Sequence, residues 1–422
     1  MSIWRRITGA VKAMRLTRRG AWMLSLGTAS VLAAYVVGRT ELVYLGSLLV
    51  LLPLGAIAFL RLRPVSLTVE RRFSPAVLSA GRTATVSVEV RNLGKSFTAE
   101  GSWRDAWPWP VAAPGGRLPP LAPSRGNRLS GAVVLRYDVT PPRRGVFSVG
   151  PLRAMWGDPF ALAQREVVIG EEQPVVVVPE VVALSDVLNL VAADDGSGRT
   201  LQRQAISGVD DLMAREYRTG DALRRVHWRA SAHRGDLMVR QEEQRSHAEA
   251  RVLLDTRWAG YRDASLELQP ESDSLEWAIR FTASLALHLK RHGFAVHVVE
   301  TAPRQLAPLD GPQEFLASLA ELRLTTRPLE QSALTFAPGI TRSLGSAFAV
   351  LADAEDDLVD HLVRARGAFD TAVAFLITRG FPALAEPLRA AGWACIVVDQ
   401  REALDDAWVH AALEREAQRA ER

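Results

Sequence analysis

Gly208–Glu243 reads GVDDLMAREYRTGDALRRVHWRASAHRGDLMVRQEE. Asp210, Asp211, Arg215, Glu216, Asp221, Arg224, Arg225 and Arg229 crowd around two large rings, Tyr217 and Trp228. A plain surface helix has no need of the rings, and a core strand none of the charges. The stretch divides two regions whose apolar residues repeat with different periods. Those two periods set the fold class.

Downstream, 246–422 alternates strand and helix. ARVLLD, FAVHVVE, AFAVLAD, DTAVAFLIT and ACIVVD are near-continuous apolar runs, the pattern of strands buried on both faces. Between them lie helical segments: Asp273–His292 with Ser272 as N-cap and Gly293 as stop, Pro312–Leu322, Asp356–Arg366, Pro382–Ala391 and a terminal helix from Arg401. This alternation predicts a doubly wound parallel sheet with right-handed crossovers.

Upstream, 64–180 carries short alternating runs: SLTVERRF, TATVSVEVRN, NRLSGAVVLRYDVT, GVFSVGPLRAMW and PVVVVP. Turn residues separate them, which predicts an antiparallel β-sandwich. Asp105–Asn127, rich in Pro, Gly and Trp, reads as a long loop, with Trp107 and Trp109 packing back on the sandwich rather than serving a partner. Residues 181–205 read as a linker without fixed structure, and 206–245 as the charged element.

The first 63 residues hold two uncharged apolar runs, Ala21–Gly38 and Leu42–Leu60. Each is about long enough to cross a bilayer as a helix. Arg39-Thr40-Glu41 leaves room only for a turn, so the two form a hairpin. No small-residue cleavage site precedes a polar mature region, which argues against a signal peptide. Arg5, Arg6, Lys12, Arg15, Arg18 and Arg19 precede the first run, and Arg61, Arg63, Arg71 and Arg72 follow the second. Basic flanks face the cytoplasm, so the expected protein sits in the cell membrane with both termini cytoplasmic.

The 422 residues suffice for two or three domains. A net charge of +4 spread over this length gives no nucleic-acid footprint. The single cysteine, Cys395, excludes a disulfide framework and reads as a buried apolar residue.

The search for chemistry turns on strand ends, because doubly wound sheets place sites beyond their carboxyl ends. Asp255, Asp353 and Asp399 stand there. The nearest known arrangement is the von Willebrand factor type A domain, whose first strand ends in Asp-x-Ser-x-Ser and holds a divalent cation with a further acid. Here the loop reads Asp255-Thr256-Arg257-Trp258-Ala259, with both serines replaced. Asp255 and Asp353 are therefore weak metal candidates, magnesium is not expected, and Asp255 is expected to pair with Arg257 or to cap a loop. No histidine pair with an acid at ligand spacing is expected, and His297 reads as packed. No nucleophile elbow or phosphate loop occurs. In the charged element, Arg215-Glu216-Tyr217 before Gly220-Asp221 suggests a strand entering a turn. Arg224–Ala232 suggests a helix carrying Trp228 inward, with an ion-pair network joining the domains. Arg224, Arg225 and Arg229 alternatively offer a docking surface to an acidic partner.

Arg215-Glu216-Tyr217, Gly220-Asp221, Trp228 and Ala232 resemble the signature of the bacterial domain-of-unknown-function 58 family. Arg144-Gly145-x-Phe147, Gly150-Pro151 and Asp158-Pro159-Phe160 extend the likeness upstream. His233 departs from it where the family often has Arg. The resemblance implies a membrane-anchored protein with a degenerate type A-like domain and no established enzymatic activity. It also implies association with MoxR-type AAA+ ATPases and transglutaminase-like membrane proteins. The expected function is thus a non-enzymatic adaptor in assembly or envelope maintenance, with the bilayer and a MoxR-type ATPase as partners and no cofactor. The alternatives are a metal-dependent adhesion-type module using Asp255 and Asp353, and a hydrolase using Asp221, Glu216 or His227.

Overall fold

The computed structural model describes residues 11–63, 65–109, 112–124, 131–187, 214–216, 228–240, 249–264, 272–330, 345–378, 380 and 383–420. The chain divides into two compact units, Met1–Val178 and Pro179–Arg422.

The first unit opens with a strand, β1 (Val11–Leu16), before two helices, α1 (Arg18–Val37) and α2 (Thr40–Leu62). Strands β2 (Leu67–Ser74), β3 (Leu78–Ser79), β4 (Ala84–Asn92), β5 (Gly101–Asp105), β6 (Gly115–Leu118), β7 (Ala132–Val139), β8 (Gly145–Val149), β9 (Leu152–Gly157), β10 (Ala163–Ile169) and β11 (Gln173–Val178) follow. They form an antiparallel sheet in the order β1-β10-β9-β5-β6, an antiparallel β2-β4-β7 sheet, and a β3-β11-β8 sheet. All three contribute to one sandwich-like core. Val86, Val88 and Val90 alternate inward along β4 and meet Leu152, Ala154, Val167, Ile169 and Val177. The expected long loop contains β6, and Trp109 is buried there against Phe147 and Trp107. Strands β1, β5 and β10 were not legible in the sequence.

α1 and α2 are long and apolar enough to cross a membrane. Trp22, Leu32, Tyr35, Tyr44 and Leu48 are exposed on them, unlike the side chains of a soluble core helix. Thr17 caps α1 by accepting from the Gly20 amide, and its hydroxyl donates to the Ala161 and Leu162 carbonyls. At the other foot, buried Arg165 of β10 donates to the Leu60 and Arg63 carbonyls that α2 leaves open at its end. Both feet of the hairpin therefore rest on one strand and its approach turn. Asp158 shapes that turn by accepting from the Phe160, Leu162 and Ala163 amides.

Arg71, counted from sequence among the basic flank residues, is buried. Its Nη2 lies 2.7 Å from Asp105 Oδ1, while Tyr137 donates to Asp105 Oδ2 at 2.8 Å. Burial and the adjoining carboxylate push the Tyr137 phenol well up.

The second unit begins with β12 (Ala214–Glu216), α3 (Trp228–Arg234) and β13 (Met238–Arg240), the two strands pairing antiparallel. Then come β14 (Glu249–Leu254), α4 (Asp273–Arg291), β15 (Ala295–Glu300), α5 (Pro312–Glu321), β16 (Ser346–Leu351), α6 (Asp356–Ala365), β17 (Thr371–Ile377), α7 (Ala385–Ala390), β18 (Ala394–Val398) and α8 (Leu404–Ala420). Strands β14–β18 form an all-parallel sheet in the order β15-β14-β16-β17-β18.

Every residue of β16 and β17 is buried because both faces are covered. Val373, Phe375 and Ile377 face a core with α4, α5 and α8; Ala372, Ala374 and Leu376 face one with α6 and α7. Helices thus wind on both faces, as the apolar runs predict. α4 matches expectation closely: Ser272 accepts from the Leu275 amide, and Gly293 takes φ +85° at the stop. Two expectations fail. His297 is exposed, because β15 is an edge strand. The expected linker is ordered at its start: Leu184 is buried, and the Val182 amide donates to Ser284.

Candidate functional site

The strand order reverses between β14 and β16, since β15 lies on one side of β14 and β16 on the other. A crevice beyond the carboxyl ends of such strands is where open α/β sheets bind ligands. Asp255 follows β14 there and is fully buried. Its Oδ1 accepts from Thr301 Oγ1 at 2.5 Å, from the Arg257 amide at 3.1 Å and from Arg257 Nε at 3.4 Å. Burial raises the Asp255 carboxyl above the usual carboxylate range, and the Thr301 and Arg257 contacts oppose the rise. Tyr261 donates to the Asp255 carbonyl at 2.7 Å.

Arg257 is itself buried, and its guanidinium reaches from Asp255 to the start of α6. Nη1 donates to Glu355 Oε2 at 3.1 Å and to Asp357 Oδ2 at 3.0 Å, two carboxylates about half exposed on the rim. The loop is held in place by backbone bonds, Trp258 N to Thr325 O and Thr325 N to Thr256 O. Gly260 packs so close to the Asp255 carboxylate that any side chain there would displace it.

Asp353, after β16, turns to this loop. Its amide donates to the Gly260 carbonyl, its Oδ2 accepts from the Arg262 amide at 3.0 Å, and Arg262 Nε lies 3.7 Å from Oδ1. Asp399 accepts from the Arg401 amide in its own turn.

Of the two expectations for Asp255, a pair with Arg257 or a loop cap, both are met: the carboxylate lies 3.4 Å from Arg257 Nε and accepts from the Arg257 amide. Sequence reading missed Thr301, Glu355 and Asp357, which join the cluster from other strand ends. The acidic run Glu355-Asp356-Asp357 was a visible signal, but nothing local tied it to an arginine 98 residues away. The bonds that Thr301 and Arg257 make to the Asp255 carboxylate all fall on Oδ1, and the buried Oδ2 has no hydrogen-bond partner among the described residues.

In the charged element, Arg215 and Glu216 fall on β12 as the strand reading expects. Trp228 starts α3 and is 68% exposed, contrary to the inward orientation expected of it. The described span of the helix is Trp228–Arg234, and Arg229 follows Trp228 on it. Ser231 Oγ accepts from the Met238 amide, fastening α3 to β13. Tyr217, Gly220, Asp221, Arg224, Arg225 and His227 lie outside the described residues.

No curated protein matches the chain. Among solved structures, the crystal structure of a Pyrococcus furiosus CARDB domain in complex with di-metal ions shares 18% identity, covers 25% of this chain and 89% of its own, and has a TM-score of 0.17. A Paenibacillus cycloisomaltooligosaccharide glucanotransferase shares 14%, covers 79% and 53%, and has the same TM-score of 0.17. Likenesses this slight carry no argument about fold or activity. A family match is narrower than the resemblance in the sequence, since it leaves the upstream Arg144–Phe160 segments out, but it includes the charged element from residue 213 onward and the Asp255 crevice. Residues 213–378 match the family described as protein of unknown function DUF58.

Proposed function

We propose that the protein is a membrane-anchored adaptor that binds another protein and catalyses no reaction. The α/β unit resembles a von Willebrand factor type A domain whose cation site has been replaced by Arg257. The observation that supports this reading is the positive charge beside the acids at the strand-order reversal. Asp255 Oδ1 is engaged by Thr301 and Arg257, and Asp353 by Arg262, so a guanidinium stands next to each acid best placed to hold magnesium. The two apolar helices supply the anchor, and the basic flanks favour a cytoplasmic position for both folded units.

The partner we propose is a MoxR-type AAA+ ATPase, with a transglutaminase-like membrane protein as a further associate; both come from the family resemblance. Exposed Trp228 on α3, beside Arg229, gives the charged element an aromatic anchor of the kind that dominates protein interfaces. Affinity purification of the tagged full chain from detergent extracts, with ATP present, should recover an AAA+ ATPase identified by mass spectrometry. Trp228→Ala should reduce the recovery at least about tenfold, an interface loss of about 1.4 kcal/mol. Repeated recovery of no ATPase removes the proposal, as does a purified chain that turns over a substrate.

A further inference from the structure

The sequence reading expected no histidine pair with an acid at ligand spacing, and the fold corrects it. His288 and His292 lie one helical turn apart at the end of α4, a spacing that puts both rings on one face. Their ring centroids are 4.4 Å apart. Asp186, from the segment that leads into the second unit, joins them. One ligand atom from each of the three lies within 4.8 Å of the others.

Three features distinguish this cluster from a surface ion pair. His292 Nδ1 lies 2.9 Å from the His288 backbone carbonyl. A carbonyl only accepts, so Nδ1 carries the hydrogen, and the Nε2 lone pair is aimed at Asp186 Oδ1, 3.1 Å away. Two acceptors face each other across that gap, and only a cation between them, a proton or a metal ion, makes the contact favourable. Metal-binding histidines are commonly oriented in this way by a carbonyl on their second nitrogen. Secondly, His288 is buried beside Trp408, and its Nε2 has no hydrogen-bond partner among the described residues. A buried polar atom of this kind calls for a ligand. Thirdly, Asp186 is presented by a fixed backbone: Asp405 accepts from both the amide and hydroxyl of Ser185, and Trp408 Nε1 donates to the Ser185 carbonyl.

We propose that Asp186, His288 and His292 bind a divalent transition-metal ion of the zinc class, which clamps the segment before Val187 onto α4. Two imidazoles and one carboxylate suit zinc, with a fourth position left for water. Tetrahedral coordination at about 2.0–2.1 Å needs ligand atoms roughly 3.3 Å apart. The Asp186 side chain is 82% exposed and free to swing the short distance required. This site lies at the far end of α4 from the N-cap at Ser272, and it is separate from the Asp255 crevice.

Cobalt is the probe of choice, because its visible absorption reports tetrahedral coordination. The full chain in detergent, stripped with chelator and titrated with cobalt chloride, should bind one equivalent and show that absorption. Zinc should displace the cobalt and raise the melting temperature. His288→Gln and His292→Gln should each weaken binding by at least about 10- to 100-fold. Asp186→Asn, on an exposed side chain that leaves folding intact, should also weaken it, while His410→Gln should bind like wild type. A wild-type chain that takes up no cobalt shows that only a proton bridges His292 and Asp186, and overturns the proposal. Uptake that persists unchanged in Asp186→Asn and His292→Gln overturns it equally.

Discussion

At the level of single residues, the second unit is marked by a buried ion pair, Arg257 with Asp255, at the carboxyl end of β14. Arg257 and Asp255 are both buried, so removing either alone leaves an unpaired charge or an unsatisfied polar group. Arg257→Met should destabilise the second unit by about 3–5 kcal/mol. The double variant Asp255→Asn/Arg257→Met should recover a large part of that loss, because the stranded carboxylate is gone. Unfolding of the full chain in detergent, followed by near-ultraviolet circular dichroism, compares the two; equal losses would show that the pair is not the source of the cost. Cys395 gives a second residue-level test. Burial pushes its thiol up to about 11, so at pH 8 it is protonated as well as inaccessible. Iodoacetamide should leave it unmodified in the folded chain and alkylate it after denaturation, and mass spectrometry reads the difference. Asp255, Arg257 and Cys395 were legible because their chemistry is local. Thr301, Glu355 and Asp357 were not, because the fold brings them together from separate strand ends. His288 and His292 stand four residues apart on one helix but were passed over, because Asp186 joins them only through the packing of its segment on α4 and α8.

Among the secondary-structure elements, the hairpin and the parallel sheet were the most legible. Uncharged runs near bilayer length read as long helices, and fully apolar strands between helices read as a buried sheet. Strand β1 was hidden because its lysine and arginine suggested a basic flank rather than an edge strand. Strand β5 and the β6 hairpin were hidden by glycine, proline and tryptophan around them, residues typical of a loop. The helices of the hairpin meet through small residues: a side chain at Gly27 would come within 2.9 Å of the Gly46 carbonyl, whereas Gly55 has nothing within 4 Å. Close approach of this kind drives helix association in lipid. Gly27→Leu should therefore destabilise the hairpin by about 1–3 kcal/mol, and Gly55→Leu should be neutral. Thermal melts of the two variants in the same micelle test this; identical melting temperatures would mean that α1 and α2 do not pack through this contact.

For the whole molecule, hydrophobic period separates the apolar helices, the short antiparallel strands and the parallel sheet in the sequence, and the chain divides into two units, with the helices in the first. The structure places the helix feet and the sheets in one unit: Thr17 bonds to the turn before β10, and Arg165 of β10 caps α2. Both ends of the hairpin must then emerge on the same side of a bilayer, which agrees with the charge on its flanks. The adaptor reading depends on which side that is. The only native cysteine is buried, so cysteines introduced singly on a Cys395→Ser background report topology cleanly. In intact cells, a membrane-impermeant maleimide should label Arg39→Cys in the turn between the helices. It should label Arg422→Cys at the tail only after the membrane is permeabilised. Tail labelling in intact cells, with the turn protected, would contradict the account.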